Sequence, residues 1–148
     1  MDFNDFATNE DLFRKKIGVR RFEVNSAIRS LLDLADSWSS IGKEFLGGLI
    51  SITAEPDHDR IDGDVLGKKF CIRYSPFGLD GEGSIEAALS VQDLVTGEPI
   101  ELSRFLVSSK GAILTITGEE LINSEHREYV YKVLIAIAGR VINASSKS

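Results

Sequence analysis

The chain has 148 residues, the length of one domain, and its 43% hydrophobic and 27% charged residues are the balance of a folded globular protein, which excludes extended disorder. A net charge of −6 has the wrong sign for gripping a phosphate backbone, so nucleic acid is not an expected partner. A single cysteine, Cys71, excludes an internal disulfide and a cysteine-built zinc site.

The opening residues, Met1-Asp2-Phe3-Asn4-Asp5-Phe6, are acidic where an export signal is basic and then apolar, so a cytoplasmic location is expected. We read 1–148 as one domain, with 1–8 as a flexible arm and 144–148 as a disordered tail. Thr8-Asn9-Glu10-Asp11 offers a helix cap, and Leu12, Phe13 and Ile17 supply a short apolar stripe, predicting a first helix over 9–17. Arg14, Lys15 and Lys16 suit the negative end of that helix, with Gly18 as its stop; Arg20 and Arg21 follow. A second helix starts near Arg21. Val24, Ile28, Leu31, Leu32, Ala35 and Trp38 repeat at helical spacing, and the helix ends by Gly42 or, at the latest, Gly47-Gly48.

From Leu49 the period changes to two. Ile50, Ile52 and Ala54 alternate with Ser51 and Thr53 in a half-buried strand, and 56–67 reads as a polar loop holding four aspartates. Phe70, Ile72 and Tyr74 make a second strand, and the glycine-rich stretch 76–83 a turn. Ile85, Ala87, Leu89 and Val91 make a third strand, which Thr96-Gly97 and Pro99 turn into a fourth. In that fourth strand the apolar positions change phase between Leu102 and Phe105, which calls for a bulge near Ser103-Arg104. Leu114 and Ile116 mark a fifth strand ending near Thr117.

The last element is a helix from a Ser124 cap to about Asn143. Val130, Val133, Leu134, Ile137 and Val141 form its inner face, widened by Ile135, Ala138 and Ile142. Val133 to Gly139 is the longest apolar run, far short of the ~20 residues that span a bilayer, so no membrane insertion is expected. The expected architecture is thus α+β: N-terminal helices, a roughly five-stranded antiparallel meander, and a C-terminal apolar helix packed on the sheet.

Four features invite a chemical reading. Asp57, Asp59, Asp62 and Asp64 place four carboxylates within eight residues, the donor type a hard cation such as Ca²⁺ takes. The stretch departs from an EF-hand loop, with an extra residue before Asp62 and Lys68-Lys69 near the closing glutamate position. A solvated hairpin whose like charges guard a sheet edge is the stronger reading. Cys71 and His126 can be drawn as a nucleophilic pair, but nothing in the spacing brings them together, and no catalytic residue is assigned. Gly78, Gly81 and Gly83 lie between strands and open no helix, so they do not make a phosphate cradle.

The fourth feature is the outward sheet face: Ser51, Thr53, Arg73, Ser75, Glu86, Ala88, Ser90, Gln92, Thr115 and Thr117 are mostly short and polar. Such a face is either ordinary solvated surface or room for a partner. Arg73, Ser75, Ser90, Gln92 and Arg104 are its candidate binding residues.

Function is not encoded in any motif. The reading that fits best is a non-enzymatic protein-interaction domain of the adaptor, inhibitor, immunity or chaperone type. It needs no cofactor, and its acidity suits a protein partner with a basic surface. The alternative is a small-molecule cup, with or without catalysis, in which Arg73 or Arg104 clamps an anion. Uncovered Ile135 and Ile142 would favour a homodimer.

Overall fold

The computed structural model describes residues 1–78 and 81–147. It is an α+β fold in which one long helix, a curled sheet and a second helix follow in chain order. The first helix, α1, spans Glu10–Glu44, and Asn9 caps it by accepting a hydrogen bond from the Leu12 amide at 2.8 Å. The two expected helices are therefore one. Gly18 does not stop it, because a mid-helix glycine costs only ~1 kcal/mol relative to alanine, which packing further along the helix offsets.

Seven strands form a single antiparallel sheet whose order follows the chain: β1 (Ile50–Glu55), β2 (Arg60–Val65), β3 (Lys68–Phe77), β4 (Ser84–Gln92), β5 (Pro99–Ser108), β6 (Ile113–Leu114) and β7 (Glu120–Ile122). The meander is as expected, with seven strands in place of five. The two additions are β2, inside the stretch read as an aspartate loop, and β7. Within β2, Ile61 and Val65 turn inward while Arg60, Asp62 and Asp64 turn out, a true two-residue alternation. Gly63 completes it on the inner side. It pairs with Phe70, and a β-carbon there would stand 2.6 Å from the Ser51 carbonyl oxygen and 2.5 Å from the tip of the Phe70 ring.

The bulge expected in β5 lies at Leu102. Leu89 pairs with Ser103 and Ser90 with Glu101, which leaves Leu102 as the extra residue. Ile100 before it and Phe105 and Val107 after it can then all face the core side. β6 is only two residues long, so Thr115 and Thr117 do not reach the outward face. They sit in the turn before β7, their hydroxyls 3.0 Å apart. Part of the expected 76–83 turn, Leu79 and Asp80, lies outside the described residues, as does Ser148 of the expected tail; β3 itself continues to Phe77.

The second helix, α2, spans Tyr129–Asn143 and starts four residues later than expected. Ser124 does not cap it; its hydroxyl donates to the Lys110 carbonyl at 3.0 Å and ties the preceding turn to the β5–β6 turn. Both helices pack on the same side of the sheet. Leu31, Leu34, Ala35 and Trp38 of α1 meet Val133, Leu134, Ile137 and Val141 of α2 over Ile61, Ile72, Ile85, Leu89 and Val107. Trp38 is fully buried, and its indole N–H donates to the Val130 carbonyl at 2.9 Å, joining the two helices. The C-terminal part of α1 runs against β1 so closely that a β-carbon on Gly42 would collide with the Ile50 carbonyl oxygen. That contact covers the sheet edge where unpaired backbone groups would otherwise invite another strand.

Candidate functional site

With both helices on one side, the other side of the sheet is open over the outward residues of β1–β5, except at the end where outward Ser84, Leu106 and Ser108 are buried. Cross-strand register sets them in rows. Thr53, Asp62, Cys71, Ser90 and Glu101 make one row, and Glu55, Arg60, Arg73, Ala88 and Arg104 make the next. Over them lies a depression of about 530 Å³ lined by Thr53, Arg60, Asp62, Cys71, Arg73 and Ser90, among others. Gln92 also lines it; Ser75 lies one row away, opposite Glu86, and Arg104 at the far end of the arginine row. Arg73, Ser90 and Gln92 are thus brought together, while Ser75 and Arg104 stand outside the depression.

The two arginines singled out from the sequence differ in their surroundings. Arg104 is held by two carboxylates, Glu101, three positions before it across the bulge, and Glu86 on the neighbouring strand at 3.2 Å. These bonds hold the Glu101 carboxyl below the usual carboxylate range and raise the Arg104 guanidinium above its ordinary value. An arginine so paired points along the open face and does not turn inward to clamp a ligand. Arg73, by contrast, has no ion pair or side-chain hydrogen bond with any described residue. Its direct neighbour across β2 and β3 is another arginine, Arg60. Arg60 is satisfied by Asp62, with its Nε 3.0 Å from the carboxylate, and that bond raises its affinity for its proton.

Arg60 and Lys69 belong to the depression and were not among the residues singled out from the sequence. Arg60 was hidden by reading its segment as a loop. The alternation Arg60-Ile61-Asp62-Gly63-Asp64-Val65 is the signal that would have placed it.

The four aspartates are not gathered. Asp57 lies in a short 3-10 turn and Asp59 just after it in the left-handed region, whereas Asp62 and Asp64 sit on β2. Asp62 binds Arg60, and Asp64 accepts from the Ser51 hydroxyl at 2.6 Å. Among the described residues no three His, Cys, Asp or Glu side chains are grouped so as to hold a metal ion. Cys71 opens on the uncovered face, with its thiol pushed up by burial first and by the hydrogen bond and charge of Asp62 second, which opposes thiolate formation. His126 sits in the turn ahead of α2, its ring nitrogen accepting from the Glu128 amide at 3.2 Å, so the structure does not join the two.

Among the described residues no helix is long and apolar enough to cross a membrane. Compared with protein-family models, curated proteins and solved structures, the chain matches none.

Proposed function

We propose that the chain is a non-enzymatic protein-interaction domain, of the adaptor, inhibitor, immunity or chaperone type, that receives its partner on the open sheet face. The observation that carries this reading is Arg73, a guanidinium that pairs with no carboxylate among the described residues and stands at one end of an open depression whose middle row is Thr53, Asp62, Cys71 and Ser90. A protein partner that inserts an acidic side chain there would relieve the repulsion from Arg60 and gain a charge-assisted bond. The short Ser90, Ala88 and Thr53 side chains leave room for such a segment. The net charge of −6 supports a partner whose surface is basic elsewhere, drawn in by the long-range field, and the cytoplasm suits the free thiol.

A small-molecule anion site remains the second reading, because the depression falls within the ~300–1,000 Å³ common for ligand pockets. The open, partly polar character of the depression favours the protein partner.

Affinity capture from the native source with wild-type protein and with Arg73→Glu tests the proposal. A stoichiometric protein recovered by the wild type and lost with the variant is the expected result. Equal recovery by both, or recovery of none, overturns it, and binding of a small carboxylate in calorimetry with no protein recovered moves the assignment to the second reading.

A further inference from the structure

The carboxylates around the depression are already bonded. Asp62 is held by Arg60, Asp64 accepts from the Ser51 hydroxyl at 2.6 Å and the Gly67 amide at 3.3 Å, and Glu86 and Glu101 hold Arg104. Glu55 lies beyond Arg60 and does not adjoin Arg73. Two cations of the depression are left over. Lys69 joins Arg73 in having no ion pair or side-chain hydrogen bond with any described residue, although Asp64 is its direct cross-strand neighbour.

Both cations stand at exposed outward positions of β3, with the partly buried Cys71 midway between them. At about 3.3 Å per residue, the four-residue step separates their Cα atoms by about 13 Å. The row between them is built of Thr53, Asp62, Cys71 and Ser90, side chains too short to fill it.

This spacing selects the shape of partner that can answer both charges. In an extended chain, residues i, i+2 and i+4 share a side and rise by the same ~3.3 Å per residue, so acids four apart match Lys69 and Arg73. On a helix the same ~13 Å takes about nine residues, and nine steps of 100° put the two acids on opposite sides. Helical positions that do share a side, seven or eleven apart, span about 10 or 16 Å. A lone small anion would answer one cation and leave the other in water.

We infer that the segment received on the open face is an extended acidic stretch of the partner chain, with carboxylates four residues apart that meet Lys69 and Arg73 and the side chain between them facing Cys71. This pattern, Asp/Glu-x-x-x-Asp/Glu, rests on the protein-interaction reading above and specifies what such a partner carries.

Cys71 supplies the readout. Peptides Glu-Ala-Cys-Ala-Glu, Gln-Ala-Cys-Ala-Gln and Lys-Ala-Cys-Ala-Lys, each supplied as its disulfide with 2-mercaptoethanol, are equilibrated with the full chain in excess 2-mercaptoethanol at mildly alkaline pH. Each capture forms a disulfide between Cys71 and the peptide and releases one 2-mercaptoethanol, so the captured fraction, read by intact mass, reports how well the peptide fits the face. The Glu peptide should be captured about fivefold more than the Gln peptide at low salt and the Lys peptide less than either, with the differences shrinking in high salt. Lys69→Gln and Arg73→Gln should each at least halve the preference for the Glu peptide and leave capture of the Gln peptide unchanged.

Equal capture of the Glu and Gln peptides overturns the inference, as does a preference that either variant leaves intact. Stronger capture of Glu-Ala-Ala-Cys-Ala-Ala-Ala-Glu, whose acids stand at helical spacing, also overturns it. A protein partner lost with Arg73→Glu, beside no peptide preference, overturns this pattern while the interaction reading stands. No protein recovered, beside an intact peptide preference, overturns the interaction reading itself and the partner pattern with it.

Discussion

Arg60 and Arg73 stand directly opposite each other on β2 and β3, two like charges in register on the open face of the sheet, with a carboxylate for the first and, among the described residues, none for the second. Like charges in this position oppose folding. Arg73→Gln is therefore expected to raise the urea midpoint by a few tenths of a molar unit without changing the slope, while weakening partner capture at least tenfold. Stability gained together with binding lost is the signature of a residue held for contact; a loss of both would mark it as structural.

Trp38 supplies a second prediction. It is fully buried, and its indole joins α1 to the first turn of α2. Trp38→Phe removes the hydrogen bond and leaves a void, a loss of about 1–3 kcal/mol; Trp38→Ala costs about 3–5 kcal/mol. As the only tryptophan it also reports on itself, and its emission should be blue-shifted and shielded from iodide until the chain unfolds.

Gly42→Ala tests the cover on the β1 edge. The added methyl collides with backbone rather than with a side chain that could swing away, so α1 must lift from Ile50. A loss of about 1–3 kcal/mol is expected, with faster amide exchange in β1 as the local readout.

Tyr74 is buried in the core, and its hydroxyl has no hydrogen-bond partner among the described residues. Burial, with the charge of Asp59 as a smaller cause, raises its pKa. Tyr74→Phe removes an unsatisfied polar atom and should stabilise the fold by about 1 kcal/mol in chemical denaturation.

Glu23 gives a dependence on pH. The Gly83 amide, 3.1 Å from the carboxylate, and the Arg20 guanidinium hold its pKa below the usual carboxylate range. A depressed folded-state pKa contributes stability that is complete at neutral pH and disappears as the pH falls through the ordinary range toward the lowered value. The acid side of the stability curve should be flatter in Glu23→Gln, read as denaturation midpoints between pH 3 and pH 6.

How far the fold could be read beforehand follows from which residues carried the pattern. β3 and β4 were legible because Phe70, Ile72, Tyr74 and Ile85, Ala87, Leu89, Val91 alternate without interruption. The phase change from Leu102 to Phe105 placed the bulge within a residue of its position. β2 was hidden because its alternation is written in Asp and Gly, residues disfavoured in strands, with Gly63 chosen for the space that Phe70 needs. Gly18 misled in the opposite sense, since a helix anchored by Leu31 and Trp38 carries a glycine two turns ahead of its first buried residue at small cost. Of the candidate site, the outward placement of Arg73, Ser90 and Gln92 was legible from strand phase alone. Arg60 depended on β2, and the pairing of Arg104 depended on side-chain reach across a bulge, which no spacing rule states.

A strand order that follows chain order also shapes how the molecule is made. Each strand after the first finds its neighbour already synthesised, so hairpins can zip in the direction of translation with short loop closures. The element that supplies Val133, Leu134, Ile137 and Val141 leaves the ribosome after all seven strands, so the nascent sheet is synthesised with the part of its oily side that this helix covers still bare. The growing polypeptide is most exposed to miscollapse just before its last helix arrives.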